Sequence, residues 1–329
     1  MDKNYFIISN GRLKRKDNTV YFESDGKEEA IPIENIENLY LFGSIDLNTH
    51  FVNLLAGHQI PIHFFSYYGY YTGSFFPMDR TVSGKTLLCQ IEHYKNIEQR
   101  SYLAKNIVKG SSENILSIMQ YYNRREIDLK NEIENIKLFI EKLDTKESIN
   151  EIMGTEANIR KIYYDSWKKW LNEEFEFEKR IKNPPNNIVN TLISFLNSVL
   201  YSTVLSEIYI TQLDPTISFL HEPGERRYSL SLDIADIFKP IVVDRIIFYI
   251  LNKNMVDDSH FESEQEICFL NDKGKRIVLK EYDKRLGQTI YYKKMEKYIS
   301  YRMLIRTECY KILKHIIGLE KYTPFKMEY

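Results

Sequence analysis

The chain has 329 residues, long enough for two domains, and 45 Lys plus Arg against 46 Asp plus Glu leave a net charge of -1 that neither names nor excludes a nucleic-acid partner. Three cysteines, Cys89, Cys268 and Cys309, contain no CxxC pair, so a disulfide framework and a zinc-finger pattern are both unsupported and a reducing cytoplasm is expected. The apolar run Tyr5 to Ile8 is too short for a signal-peptide core, and IVVDRIIFYIL is broken by Asp244 and Arg245, so no membrane span is expected.

Residues 4–76 read as strands. NYFIISN, NTVYFES, EEAIPI, ENLYLFG and QIPIHFFS are short apolar or alternating runs separated by turn signals such as SNG, KDN and SDG. One helix interrupts them: DLNTHFVNLLAGHQ opens on a capping Asp or Asn, stops at Gly57 and places Phe51, Leu54 and Leu55 on one face. This predicts a β-rich domain over 1–76 and a linker over 77–87, after which the pattern changes to a helical period.

The stretches 87–111, 112–144 and 156–174 carry apolar residues at spacings of three and four. Pro184 and Pro185 precede NNIVNTLISFLNSVLYSTVLSEIYITQ, a helix apolar nearly all round and expected at the centre of a helical domain over 88–329. FKPIVVDRIIFYILN and KKMEKYISYRMLIRTECYKILKHIIGL complete the helices, with short apolar runs EICFLND and RIVLKEY after the acidic DDSHFESEQE. Residues 273–329 hold fifteen Lys or Arg and six Asp or Glu, a local balance of +9 against -10 for the remainder. That asymmetry is either a solvated helix face or a phosphate-contacting one.

Chemistry concentrates in LDPTISFLHEPGERRYSLSLDIADIFKP, residues 213–240. YSLSL alternates like a strand, EPGE supplies a turn, and Asp233 reads as the cap of a helix that carries Asp236 three positions on. A reversal at EPGE would fold His221 back beside the two aspartates. Histidine with carboxylates suits Mg or Mn better than structural zinc, although the same residues also read as a hydrogen-bonded histidine and an ordinary cap. In GTEANIRKIYYDSW, Gly154 and Thr155 place Glu156 at a helix start, with Arg160 and Tyr163 on the following turns. There Glu156 could equally be a first-turn acid favoured by the helix dipole.

Taken together, GTEANIRKIYYDSW, NPPNNIVNTLISFLNSVLYS, the 213–240 stretch running on into IVVDRII, and the N-terminal IPIENIENLYLFGSIDLNTHFVNLLAGHQIPIHFF resemble the CRISPR-associated integrases of spacer acquisition, the Cas-one family. The resemblance spans almost the whole chain. It implies an α+β architecture with a small N-terminal β-sandwich-like domain and a larger all-α C-terminal domain, a homodimer built by the N-terminal domain, and assembly with a Cas-two-family protein on double-stranded DNA. It carries the family's catalytic metal ligands onto Glu156, His221 and Asp236, with Asp233 at or near the ion, and implies Mg or Mn as cofactor. Ala157 stands where the family often has Gly, a change that need not disturb the ligand. The implied reaction joins 3'-hydroxyl ends of foreign DNA to a CRISPR repeat by transesterification, with endonuclease activity. Arg160, Tyr163, Arg226, Arg245 and the 273–329 basic set are the expected DNA contacts. A nuclease that hydrolyses without joining, and a DNA-binding scaffold with Glu156, His221 and Asp236 far apart, are the alternatives.

Overall fold

In the strand Ile36–Leu41 side chains alternate between two separate cores, and that alternation explains how the chain is assembled. The computed structural model describes residues 3–78, 82–171, 175, 177–182, 184–225, 228–265 and 267–328. In order come β1 (Lys3–Ile7), β2 (Gly11–Lys16), β3 (Thr19–Ser24), β4 (Lys27–Pro32), β5 (Ile36–Leu41), β6 (Ile45–Asp46), α1 (Thr49–Gly57), β7 (Ile62–Phe65) and β8 (Tyr71–Phe75). They form two four-stranded sheets, β4-β3-β2-β6 and β1-β5-β7-β8, the second with β1, β5 and β7 parallel. Leu13, Val20 and Ile31 of the first sheet meet Leu39, Leu41 and Ile62 of the second, and Phe51, Leu54 and Leu55 of α1 close that core. Asn48 caps α1 by accepting from the Phe51 amide.

The alternate residues of the second sheet, Tyr40, Phe42 and Phe65, belong to the core of the helical region. Its helices are α2 (Gly84–Lys95), α3 (Ile97–Asn123), α4 (Lys130–Glu141), α5 (Ile149–Ser166), α6 (Ile188–Tyr209), α7 (Ser229–Phe238), α8 (Arg245–Asn252), α9 (Asp272–Gly287) and α10 (Tyr301–Ile316). Asn96 breaks the run at 87–111 because its side chain accepts from the Glu98 and Gln99 amides and starts α3 afresh. The region is mostly rather than wholly helical: β9 (Phe261–Glu264) pairs with β10 (Ile267–Leu270), and β11 (Thr289–Tyr292) with β12 (Lys297–Ser300). EICFLND supplies β10, whereas RIVLKEY lies in α9.

α6 is long and apolar enough to cross a membrane by length and composition, yet it is the central helix of the core, with 72% of its most apolar window buried. Its polar residues fasten the sheet to it. The Tyr40 hydroxyl meets Thr203 at 3.1 Å, and His63 lies between Ser74 at 2.6 Å and Ser206 at 2.7 Å. Burial pushes the His63 pKa down to about 3, so this imidazole is neutral. Glu207, fully buried, accepts from Arg302 at 2.9 Å and Arg306 at 2.6 Å, and both arginines also reach Glu37 of β5. Two cations of the basic C-terminal set thus hold the β region to the helices.

Candidate active site

α5 begins earlier than the Gly154-Thr155 pair suggests. Ser148 accepts from the Glu151 amide while Glu151 reaches back to the Ser148 amide, a reciprocal cap eight residues before Glu156. Glu156 therefore sits in the third turn, not the first, and the dipole reading of it falls away. Gly154 is an exposed interior glycine whose missing Cβ would meet nothing within 4 Å. One turn on, the Arg160 guanidinium Nε donates to the Glu156 carboxylate.

The 213–240 stretch also differs from the sequence reading. YSLSL is not a strand: α7 starts at Ser229, and Asp233 is an interior residue of it rather than its cap. The SLSL alternation misleads because nearly every residue of α7 is buried, so neither face carries a polar stripe. Asp233 instead folds the preceding loop. Its Oδ2 accepts from the amides of Phe219 at 2.7 Å and Leu220 at 2.9 Å, and its Oδ1 from the His221 amide at 3.0 Å and His221 Nδ1 at 2.8 Å. With Nδ1 donating to a carboxylate, Nε2 carries the lone pair. Burial lowers the His221 pKa, but the Asp233 hydrogen bond and the charges of Asp236 and Asp233 outweigh it, and the net shift is upward.

Glu156, Arg160, Tyr201, His221, Asp236 and Lys239 line one cleft of about 700 Å³. Asp236 has 3% of its side chain exposed, and its Oδ1 lies 3.0 Å from Arg160 Nη2 and 2.5 Å from Lys239 Nζ. One guanidinium thus spans the carboxylates of Glu156 and Asp236. Burial raises the Asp236 pKa, and the two cations more than reverse this, holding it well below the usual carboxylate range. The donor chemistry, an imidazole nitrogen with two carboxylates, fits a hard divalent ion, and Asp233 orients the histidine from behind rather than facing the cleft. Among the described residues no three His, Cys, Asp or Glu stand close enough together to share an ion. Arg160 and Lys239 occupy the space around the Asp236 oxygens instead.

The sequence profile of one family, CRISPR associated protein Cas1, matches residues 5–284. This chain belongs to the Cas1 family. It is 46% identical over 329 residues to a CRISPR-associated endonuclease Cas1 of Fusobacterium nucleatum, covering 99% of this chain and 97% of that one. A CRISPR-associated endonuclease Cas1 of Clostridium perfringens is 44% identical over 330 residues, covering 99% of each. Among solved structures, a Cas1 protein of Thermotoga maritima superposes with TM-score 0.88 at 39% identity, covering 98% of this chain and all of that one. A casposase bound to integration product shares the fold at TM-score 0.90 and 19% identity, over 99% of this chain and 94% of that one.

In this Cas1 chain the expected DNA contacts divide. Arg160 lies in the cleft. Tyr163 is a correction: it is 1% exposed, packs edge-on against Trp167 and faces Asp244, so it cannot touch a ligand in the cleft. Arg245 stacks 4.6 Å over the Tyr121 ring and does not line the cleft. Arg226 lies outside the described residues. Much of the 273–329 set has internal partners: Arg302 and Arg306 as above, Lys311 on Glu308, and Arg285 on the Ile241 carbonyl. Besides Arg160 and Lys239, the cleft cations are Lys161 on α5 and Lys179, Arg180 and Lys182, a run that no motif in the sequence singles out. Arg180 is anchored to Ser194 at 2.8 Å and to Asn190 at 3.1 Å. Burial, then the charges of Lys239, Arg180 and Arg160, lower the Lys182 pKa, which marks an electropositive wall.

Between α7 and α8 the chain makes a π-helical turn, Pro240–Asp244, closed by the Asp244 amide on the Lys239 carbonyl at 3.0 Å. It carries Asp244 into the core, where burial pushes its pKa up to about 7, against the opposing pull of Arg160 and the Tyr163 hydroxyl. A carboxyl whose folded pKa exceeds its unfolded one binds its proton more tightly when folded, so its contribution to stability falls as pH rises from about 4 to 7 and is level above. Relative to wild type, Asp244→Asn should gain stability across that window, by up to about 4 kcal/mol. Urea unfolding at pH 5 and pH 8 checks this, and a difference that does not change with pH would contradict it.

Proposed function

We propose that this Cas1-family chain is a metal-dependent DNA integrase that joins the 3'-hydroxyl ends of DNA fragments to a CRISPR repeat by transesterification. The observation that carries the reading is that Glu156, His221 and Asp236, from three segments of the chain, line one cleft walled by cations. The names of the relatives support endonuclease chemistry, and the fold shared with a casposase bound to integration product supports joining.

Glu156, His221 through Nε2, and Asp236 would hold Mg or Mn. The bound ion would neutralise phosphate oxygens and stabilise the charge developing on the leaving oxygen. Asp233 keeps the His221 ring in the orientation that presents Nε2. Lys161, Lys179 and Lys182 offer contacts to the phosphate backbone, which position DNA without reading its sequence. No side chain of the chain acts as nucleophile, because the fragment's own 3'-oxygen attacks as the repeat's phosphodiester bond breaks.

The reading includes double-stranded DNA, a Cas2-family protein and a second copy of this chain as partners, in the cytoplasm. About a third of one chain of a solved Cas6-RT-Cas1–Cas2 complex has this fold, and the cysteines of this chain are all free. The test combines the full chain, sedimenting at twice 39.3 kDa, with a Cas2-family protein, Mg or Mn, a short duplex and a repeat-bearing plasmid. Fragment covalently joined to plasmid is the expected product, and dideoxy 3'-ends should remove it. Equal nicking by blocked and unblocked fragments with no joined product would make water the nucleophile and the protein a nuclease.

A further inference from the structure

Asp236 is served by two cations that are themselves largely buried, with 16% of the Arg160 side chain and 11% of the Lys239 side chain exposed. The two pairings are unequal. Lys239 Nζ donates to Asp236 at 2.5 Å and lies 4.8 Å over the Tyr201 ring, whereas Arg160 Nη2 comes within 3.0 Å of Asp236 without making a hydrogen bond. In direct contact, the two carboxylates of Asp236 and Glu156 face two side-chain cations, while the wider cleft wall adds the cations Lys161, Lys179, Arg180 and Lys182, in a setting where an unbalanced charge is costly.

Resting on the metal reading above, we propose that Arg160 and Lys239 are exchangeable counter-ions: a divalent ion taking Asp236 displaces them, and the freed cations bind DNA phosphate. Charge balance requires the second half of the exchange. A dication added to a neutral, mostly buried cluster leaves two surplus positive charges, and DNA entering the cleft supplies the negative ones. The ion and DNA should each raise the other's affinity, by the same factor, because binding linkage is reciprocal. Lys239, at the C-terminal end of α7 on a flexible four-carbon stem, is the cation best able to swing from Asp236 to a phosphate.

The test uses the full chain with Mn and a duplex whose 3'-ends are blocked, so that no chemistry intervenes. Calorimetry should show Mn binding roughly tenfold tighter with DNA present, and fluorescence anisotropy should show DNA binding tighter by the same factor with Mn present. In Lys239→Gln, Mn binding without DNA should become tighter because a competitor is gone, and the coupling should shrink. Lys239→Arg, which keeps the charge, should restore the competition. Direct bridging of phosphate by the ion would also couple the two ligands, but that coupling would survive Lys239→Gln. Unchanged DNA-free Mn affinity or unchanged coupling in Lys239→Gln would overturn the exchange and leave the metal reading standing. Absence of any Mn binding by the wild-type chain would overturn both.

Discussion

Asp236→Ala is expected to abolish strand joining and also to lower the unfolding free energy by about 3–5 kcal/mol, the usual cost of removing one partner from a buried ion pair. The stability loss follows from what remains. Arg160 keeps Glu156, but Lys239 loses its hydrogen-bond acceptor while staying almost enclosed. From sequence, substitutions at Glu156, His221 and Asp236 are all expected to silence the site and leave folding unchanged. The structure separates them. Glu156 has 16% of its side chain exposed and His221 20%, so Glu156→Gln and His221→Ala should lose joining with a smaller loss of stability. Joining assays and urea denaturation of the three variants check both parts. An Asp236→Ala protein as stable as wild type would show that the buried ion cluster does not hold in solution, and one that still joins DNA would remove Asp236 from the site.

The parts of the fold legible in the sequence are those where local chemistry and tertiary packing agree. Asn48 and Gly57 mark the ends of α1, and the unbroken apolar character of 188–209 marks α6 as central. Where burial overrides local pattern the reading fails. β2, GRLKRK, is hidden by its cations because only Leu13 turns inward, and the buried helix α7 imitates a strand in its first turn. Charge counts fail for a related reason. A surplus of +9 in 273–329 says nothing about partners elsewhere in the chain, and Glu37 and Glu207, far away in sequence, take up Arg302 and Arg306. The three candidate ligands are legible only through family resemblance, since spacing alone favours an ordinary cap over a metal site. Lys239 could have been found, being three residues beyond Asp236 on the same helix face. The role of Asp233 could not, because its donors are main-chain amides of a loop whose path no residue type announces.

That role makes Asp233→Ala the second large effect. As a helix cap, Asp233 would be worth about 1 kcal/mol. As the fully buried acceptor of three main-chain amides and an imidazole, it is worth more, because its loss leaves the Phe219, Leu220 and His221 amides without their partner at about 1–3 kcal/mol for each unsatisfied group. The expected result is a destabilisation of at least about 3 kcal/mol, with joining lost because the loop no longer presents His221. A second signature separates positioning from bulk stability. The Asp233 hydrogen bond is what chiefly raises the His221 pKa against burial, so the His221 titration followed by NMR should move down in the variant. Asp233→Asn should be intermediate. Its amide oxygen can still accept from main-chain donors, while its NH2 turns a donor toward the others. A loss of only about 1 kcal/mol in Asp233→Ala, with joining intact and the His221 titration unmoved, would return Asp233 to an ordinary structural acid and leave the orientation of His221 to the remaining contacts of the loop.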